Sequence, residues 1–332
     1  MPPILPGGLM AADERQHRPG EDPLWGESWS FEFTTPDGGL GGYVRLGVYP
    51  QRNVCWYWAC VVGEGRRLVT VIDHDVPLPR RPLLEIRAEG LWADHIIETP
   101  FDHVTVGCEA FGLALDDPAE VFGPMLGERV PFGLDLEWET DGAVYLYPPG
   151  HLSGTTRYEL PCRVHGEVLV GDERIELDGM GQRHHAWGTE DWWEHGWTSA
   201  SGRLTDGTCF HGMAVHRNDG TKAATLYHAG YVQRPSDTPQ PNDGPSPGVH
   251  GVVGTTRGDD QGFPASAELT LGGLQVEIDP VAFAPVLVEA PGGRTSRLIR
   301  ALCRYRDAGG RSGTGWTEWN RPLPVSRFPD SE

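Results

Sequence analysis

Short segments of alternating hydrophobic and polar residues run along most of the chain, and turns rich in glycine or proline separate them. The segment SWSFEFTT alternates and then meets the turn PDGG, and GYVRLGVYP alternates again. A period of two is typical of β-strands that are buried on one face. NVCWYWACVVG is instead a continuous apolar run, which indicates a strand buried on both faces. The pattern therefore predicts an all-β protein.

The pattern of short alternating segments separated by turns continues to the C-terminus, and the chain divides into two halves. The runs CFHGMAVHR and TKAATLYHAGYVQR flank NDG, which indicates a hairpin. The one helix candidate, DPAEVFGPML near 117–126, contains a proline. The turn-rich segment YPPGHLSG at 147–154 indicates a break, so we predict two β-barrel or sandwich-like domains at 25–150 and 151–325. The polar, proline-rich stretch 233–248 is predicted to be a loop.

Charge and hydropathy narrow the classes of partner. The 332 residues include 27 Lys+Arg and 47 Asp+Glu, which gives a formal net charge of −20. Because such an acidic body repels phosphate groups, we expect neither nucleic acid nor an anionic membrane as a partner. No apolar run reaches the length of about 18 residues that a transmembrane helix needs, and the N-terminus has no signal-peptide pattern. A cytoplasmic location is therefore expected, and the oligomeric state stays open.

The familiar signatures of cofactor chemistry are absent from the sequence. There is no phosphate-binding G-x-x-x-x-G-K, no G-x-S-x-G, no H-E-x-x-H and no dinucleotide fingerprint between a strand and a helix. Lys222 is the only lysine and falls in a predicted hairpin turn, which disfavours Schiff-base chemistry. The six cysteines are scattered, a pattern that favours reduced, buried thiols. We predict that the protein uses no cofactor.

One pair of residues resembles the start of a metal site. His165 and Glu167 form an H-x-E on a predicted strand, so both side chains lie on one face. A distant histidine, His211 or His228, could complete a two-histidine, one-carboxylate set. A pair of this kind is more common as an ordinary surface feature, so we predict no metal.

The densest chemistry lies in GMGQRHHAWGTEDWWEHGW, residues 179–197. Asp178 to Gly181 should form a tight turn with positive φ at the glycines. Beyond it, His184 and His185 would point to opposite faces of an extended segment, so only one can line an interior. Four large aromatic side chains could form the walls of an apolar pocket, namely those of Trp187, Trp192, Trp193 and Trp197.

Two interpretations of this stretch stay open. A carboxylate buried against the rings, Asp191 or Glu190, would have a raised pKa and could donate a proton. Alternatively, the tryptophans are core between the two domains, and the carboxylates bind Arg183 or backbone N–H groups. On the next predicted strand, His211 and Met213 share a face and are further candidate pocket residues.

Several segments together resemble a known family: ESWSFEF, GGYVRLGVYP, DLEWET, DGMGQRHHAWGTEDWW and GTGWTEWNR. They are similar to bacterial two-domain proteins related to hydroxyneurosporene synthase, the carotenoid 1,2-hydratases. These belong to a wider AttH-like group of tandem lipocalin-like domains, which also resembles certain fungal Diels–Alderases. The likeness runs from about Glu27 to Arg321. It implies two tandem lipocalin-like β-barrel or sandwich domains, with the site in the second.

The central motif of that family reads G-x-G-x-R-D-H-S-W-G-x-R-D-W. The matching positions here are Gly179, Gly181, Arg183, His185, Trp187, Gly188, Asp191 and Trp192. His184, Ala186 and Glu190 replace the family's Asp, Ser and second Arg. The replaced Asp is the suspected acid that protonates an alkene in the hydratases. Histidine is a far weaker acid, so the resemblance implies an activated substrate such as a dienone, an enol or a β-hydroxy carbonyl.

The sequence thus favours a cofactor-independent enzyme on an isoprenoid, steroid-like or polyketide substrate. Proton transfer would drive hydration, dehydration, isomerisation or cyclisation, with His184 or His185 as acid or base and Asp191 as its partner. Arg183 would anchor an oxygen, and we expect one of the three catalytic candidates to face the largest cavity. The alternatives are a pericyclase, which needs no acid, and a lipocalin-like carrier without catalysis.

Overall fold

A computed structural model describes residues 5–148, 154–217, 225–235, 251–253, 256–258, 262–290 and 292–324. Within these ranges the chain is built of antiparallel strands, and the only helices are short 3₁₀ turns at Pro6–Gly8, Ala11–Glu14, Pro50–Arg52 and Pro118–Phe122. The all-β prediction is confirmed. The helix predicted near 117–126 is wrong, because only the 3₁₀ turn Pro118–Phe122 forms there and Pro124 cannot continue a helix.

The first sheet contains β1 (Trp25–Thr34), β2 (Leu40–Tyr49), β3 (Val54–Gly63), β4 (Leu68–Val76), β5 (Ile86–Ala88), β6 (Leu91–Thr99), β7 (His103–Leu115), β8 (Glu128–Thr140), β9 (Tyr145–Leu146), β10 (Thr156–Val170) and β11 (Glu173–Thr189). Its strand order is β4-β3-β2-β1-β11-β10-β8-β7-β6-β5, and β9 pairs with β10. β4 also pairs with β7, so the sheet closes on itself as a barrel.

The second sheet contains β12 (His195–Leu204), β13 (Cys209–Arg217), β14 (Thr225–Gln233), β15 (Gly251–Val253), β16 (Arg257–Gly258), β17 (Pro264–Leu271), β18 (Leu274–Phe283), β19 (Val286–Glu289), β20 (Thr295–Asp307) and β21 (Ser312–Pro322). Its order is β14-β13-β12-β21-β20-β18-β17-β15, with β16 beside β17 and β19 beside β20. The two curled sheets give the tandem lipocalin-like architecture that the resemblance implied.

The change from the first sheet to the second lies between β11 and β12. The predicted division at 150/151 falls inside the first sheet, because β10 pairs with β8 and β11 pairs with β1. The strands on either side of this position, β9 and β10, pair with each other in the first sheet. Residues 149–153, Lys222 and most of the predicted loop at 233–248 lie outside the described residues.

Two hydrophobic cores meet on strand β3, which explains its continuous apolar sequence. Cys55, Tyr57, Ala59 and Val61 point into the first barrel. Trp56 and Trp58 point outward into a second core, which lies between the two sheets and includes residues of β12, β19, β20 and β21. The predicted burial of this strand on both faces is confirmed.

The N-terminal segment packs against the first barrel. Leu5 and Leu9 touch its core, and Glu14 is 1% exposed. The Trp29 indole N–H of β1 donates to the backbone carbonyl of Glu14 at 3.1 Å. This segment therefore brings a carboxylate into the barrel.

All six cysteines are buried and reduced, as predicted. Burial raises the pKa of the Cys55, Cys60 and Cys108 thiols to about 12. Among the described residues, no helix is long and apolar enough to cross a membrane.

Candidate functional site

Strand β11 carries most of the candidate residues, and its pleat divides them between two environments. Arg183, His185 and Trp187 lie on the side of the first barrel, where His185 stacks on Trp29 with ring centroids 4.5 Å apart. His184 points into the gap between the two sheets. The two neighbouring histidines thus face opposite sides of the strand, as expected for an extended segment.

The glycines that open the stretch allow close strand packing. Gly179 and Gly181 lie inside β11, and neither has a positive φ. A Cβ atom on Gly181 would lie 1.8 Å from the carbonyl oxygen of Glu32 on β1, and one on Gly179 would lie 2.4 Å from that of Thr34. The tight turn predicted at 178–181 is therefore wrong. The two glycines instead allow β11 to pack closely against β1.

One polar cluster lies inside the first barrel. We call it the first-barrel cluster, and its members are Glu14, His17, Glu27, Tyr158, Arg183 and His185. The Glu14 carboxylate accepts hydrogen bonds from Arg183 Nη1 at 2.9 Å and from the Tyr158 hydroxyl at 2.6 Å. The same hydroxyl oxygen lies 3.2 Å from His185 Nδ1. The buried guanidinium thus has a carboxylate partner, as a buried charge requires.

Glu27 forms the other end of the first-barrel cluster. Its Oε1 lies 2.7 Å from His17 Nδ1 and 3.0 Å from His185 Nε2. The His17 ring stacks on Trp187 with 3.9 Å between centroids. Burial alone would raise the pKa of Glu27, but its contacts with His17 and His185, including the backbone N–H of His17, outweigh burial and hold that pKa below its usual value.

A second polar cluster lies between the two sheets. We call it the intersheet cluster, and its members are Tyr147, Arg157, Glu159, Gln182, His184, His211 and Tyr231. Glu159 is central, because Arg157 Nε donates to it at 2.7 Å and Gln182 Nε2 donates at 2.8 Å. His184 Nδ1 and His211 Nε2 lie 3.9 Å and 3.6 Å from its carboxylate oxygens. Histidines from both sheets therefore face one buried carboxylate.

Burial controls the protonation of the intersheet cluster. It raises the pKa of Glu159, although Arg157 beside it acts in the opposite direction. It lowers the pKa values of His184 and His211 well below their usual range, and the charge of Arg157 lowers them further. Neutral imidazoles thus stand beside a carboxyl group that holds its proton more tightly. Such a set can donate a proton to one substrate atom and accept one from another.

Two tyrosines extend the intersheet cluster. The Tyr147 hydroxyl hydrogen-bonds to His211 Nε2, and the Tyr231 hydroxyl donates to Gln182 Oε1 at 2.7 Å. His211 Nδ1 is buried and has no hydrogen-bond partner among the described residues. A buried polar atom normally has a partner, so this nitrogen is an exception within the cluster.

Three of the four candidate tryptophans lie in the core between the sheets. Trp192 packs edge to face against a tryptophan of β3 at 5.8 Å, and Trp193 Nε1 donates to a backbone carbonyl of β19 at 3.0 Å. Trp197 Nε1 donates to Glu318 at 2.6 Å, and Met213 packs against the same core. These contacts match the interpretation of the tryptophans as core between two domains.

Asp191 belongs to neither cluster. Its carboxylate pairs with Arg294 Nη1 at 2.9 Å and accepts the backbone N–H of the residue two positions on at 3.0 Å. Within the described part of the chain, no hydrogen bond or ion pair joins it to His184 or His185. These contacts are structural. The carboxylate that lies beside His185 is that of Glu27.

Two small cavities border the same stretch. The larger, about 20 Å³, lies between the sheets, and Gln182 forms part of its wall. The smaller, about 10 Å³, is lined in part by Glu27. Neither lining includes His184, His185 or Asp191, and the expectation that one of them faces the largest cavity stays a prediction. A cavity of this size has room for water and not for a substrate.

The H-x-E pair lies on the outer surface. His165 is 45% exposed and sits 3.6 Å from Glu137, and Glu167 forms an ion pair with Arg174. These contacts describe an ordinary pair of surface residues.

The sequence pattern indicated two of the six members of the first-barrel cluster, Arg183 and His185, and two of the seven members of the intersheet cluster, His184 and His211. Arg157 and Glu159 flank a tyrosine in TRYEL, and two opposite charges on one face of a predicted strand were an available signal. Glu14, His17 and Glu27 gave no comparable signal, because the barrel brings them together with residues far along the chain.

The chain belongs to the family described as "Domain of unknown function (DUF7064)", which it matches over residues 10–323. No curated protein matches the sequence.

Solved structures share the fold at low sequence identity. A protein assigned as an AttH from Nitrosomonas europaea is 14% identical, with a TM-score of 0.63 over 97% of this chain and 100% of that one. Kievitone hydratase from Nectria haematococca is 12% identical, with a TM-score of 0.57 over 95% of each chain. CghA with Sch210972 is 11% identical, with a TM-score of 0.56 over 96% of this chain and 95% of that one. The AttH-like resemblance is thus confirmed for the fold.

Proposed function

We propose that this protein is a cofactor-independent enzyme that transfers protons on a hydrophobic small molecule, with the intersheet cluster as its active site. The observation that carries the proposal is the group of Glu159, His184 and His211, which lies between two sheets beside Tyr147 and Tyr231, with Glu159 and His211 buried. Gln182 connects this group to the cavity between the sheets, since it donates to Glu159 and forms part of the cavity wall.

The substrate class follows from the surroundings. Tyrosines and tryptophans favour an apolar body, while Arg157 offers a fixed cation to one carbonyl or hydroxyl oxygen. Isoprenoid, steroid-like and polyketide molecules combine these features. Binding of such a molecule requires the sheets to separate at this gap, because the cavity of about 20 Å³ is too small. One structural neighbour is a hydratase by name, which is compatible with this reaction class.

The favoured reaction is reversible dehydration of a β-hydroxy carbonyl compound. His184 removes the proton next to the carbonyl group, and Arg157 binds the carbonyl oxygen as charge develops on it. Glu159 gives its proton to the leaving hydroxyl, so a C–H and a C–O bond break while a C=C bond and water form. The proton taken by His184 returns to Glu159 and restores the site. The reverse sequence is hydration of an activated alkene.

The test uses a panel of β-hydroxy ketones and enones with apolar tails, followed by mass spectrometry for loss or gain of water. We expect turnover by the wild-type protein, and a loss of about 10²–10⁴-fold in Glu159→Gln. Glu167→Gln is the matched control, because Glu167 is an exposed carboxylate on the same strand. It should retain full activity.

Two outcomes would replace the proposal. If both variants convert a polyene equally well by cyclisation, the protein is a pericyclase that needs no acid. If native mass spectrometry shows an apolar ligand and no member of the panel is converted, the protein is a carrier.

A further inference from the structure

The first-barrel cluster contains the donor set of a metal site, on the opposite face of β11 from the proposed active site. One ligand atom each from His17, Glu27 and His185 lies within 4.8 Å of the other two. Two imidazoles and one carboxylate are a common set for Zn²⁺ and Fe²⁺, with one or more positions left for water. We propose that these three residues bind a divalent transition-metal ion, a function separate from the proton transfer proposed above.

The hydrogen bonds of His185 leave the correct nitrogen free for a metal. The Tyr158 hydroxyl donates its proton to Glu14, whose carboxylate faces the Arg183 guanidinium and can only accept. The Tyr158 oxygen must then accept from His185 Nδ1–H at 3.2 Å. His185 Nε2 consequently carries the lone pair in the neutral ring, yet it points at a carboxylate oxygen of Glu27 at 3.0 Å. A cation between these two atoms removes the repulsion.

His17 has the same arrangement of hydrogen-bond partners as His185. Its Nε2 lies 3.4 Å from the Asp13 carboxylate, which can only accept, and its Nδ1 faces Glu27 at 2.7 Å. Both rings therefore have one nitrogen bonded to an outer partner and the other directed at the same Glu27 oxygen. Ligating histidines in metal sites characteristically donate their second N–H to such an outer partner.

Local charge also favours a divalent cation. Around the two rings, three carboxylates (Asp13, Glu14 and Glu27) face the single guanidinium of Arg183. Arg81 is nearby, but it binds the backbone carbonyl of residue 17 on the exposed side. Carboxylates outnumber guanidinium groups in this cluster, and an M²⁺ ion offsets the excess negative charge.

The spacing of the ligand atoms is close to that of a metal site. Metal–ligand bonds of about 2.0–2.2 Å place ligand atoms roughly 3.3 Å apart. Glu27 Oε1 lies 2.7 Å from His17 Nδ1 and 3.0 Å from His185 Nε2, and all three ligand atoms lie within 4.8 Å of one another. The two distances to Glu27 are therefore near the spacing of metal ligands.

The experiment uses untagged protein that has been stripped with a chelator and is then titrated with Co²⁺ alone. We expect saturation at one equivalent, a visible d–d absorption band from a low-coordinate site, a rise in melting temperature, and displacement of Co²⁺ by Zn²⁺. His17→Gln and His185→Gln should each weaken Co²⁺ binding by more than about 100-fold, because loss of a ligand exceeds the roughly 10–100-fold cost of losing an outer partner.

His165→Gln is the matched control, since His165 also faces a carboxylate but lies on the surface. It should bind Co²⁺ like the wild type. If the wild type shows no saturable binding, or if both ligand variants bind as well as the control, the metal site is excluded. Should His185→Gln fail to fold, His17→Gln decides the question, because His17 lies outside the strands.

Discussion

His184 and His185 are neighbours in the chain, but they bind different carboxylates in different compartments. His184 faces Glu159 between the two sheets, and His185 faces Glu27 inside the first barrel. The pleat of β11 thereby separates a site suited to proton transfer from a site suited to cation binding.

The Glu14–Arg183 pair should be a large contribution to stability. Its side chains are 1% and 3% exposed, so Glu14→Gln leaves a buried guanidinium without a counter-charge. We expect a loss of about 3–5 kcal/mol in the free energy of unfolding, measured by urea denaturation. Glu173→Gln, in a half-exposed pair with Arg66, should cost less than about 1 kcal/mol. Equal effects of the two substitutions would show that Glu14 does not hold the N-terminal segment in the barrel.

His74 should make stability fall in mildly acidic solution. Burial, reinforced by Arg45 and Arg52, lowers its pKa to about 4, and its Nε2 accepts the Trp58 indole N–H at 2.7 Å. As the pH falls from about 6.5 to about 4, the unfolded chain takes up a proton at this position and the folded chain does not.

The stabilising contribution of neutral His74 is therefore complete above about pH 6.5 and is lost towards about pH 4. In this window the free energy of unfolding falls by up to about 1.4 kcal/mol per pH unit. His74→Gln keeps an acceptor for the indole and should flatten the curve of unfolding free energy against pH in this window. His165→Gln, which changes a surface histidine, should leave the curve unchanged. An unaltered slope in His74→Gln would contradict the prediction.

Gly181→Ala should disrupt the pairing of β11 with β1. The added methyl group would lie 1.8 Å from the Glu32 carbonyl oxygen, and a backbone atom in a barrel cannot move away at small cost. We expect a loss of at least about 2 kcal/mol or insoluble protein. Gly123→Ala is the control, because the nearest atom to its Cβ is 4.0 Å away. Thermal melts of the two variants provide the measurement.

Asp191→Asn should have little effect on turnover. The asparagine keeps the acceptor for the backbone N–H at the turn and loses only the partly exposed pair with Arg294. We expect less than a 10-fold change in kcat/KM with the substrate identified from the panel. A loss of kcat/KM as large as that of Glu159→Gln would show that Asp191 takes part in catalysis.

The elements of this fold were largely accessible from sequence, because strand alternation is a local property. The two-sided burial of β3 follows from its continuous apolar sequence, and the opposite directions of His184 and His185 follow from the period of two. The change of sheet was not accessible in this way. Composition at 147–154 indicates a loop, but whether the next strand joins the same sheet depends on distant pairing with β8.

The candidate site was predicted in part for the same reason. The residues of β11 stood out by their density, whereas their partners come from elsewhere in the chain. Glu14 is separated from Arg183 by 169 positions, and Glu27 is separated from His185 by 158. No local pattern encodes such pairs, so the sequence suggested the nearby Asp191 as the partner of a histidine.

The two-sided character of β11 has a consequence for insertions and deletions. Because each residue faces the side opposite to its neighbours, a shift of β11 by one position against β1 and β10 would exchange the contents of the two compartments. His184 would enter the barrel, His185 would leave it, and both carboxylates would lose their partners. The number of residues between the Gly171-Asp172 turn and Thr189 is therefore fixed. The turn itself can vary in length, because there is open space around Gly171.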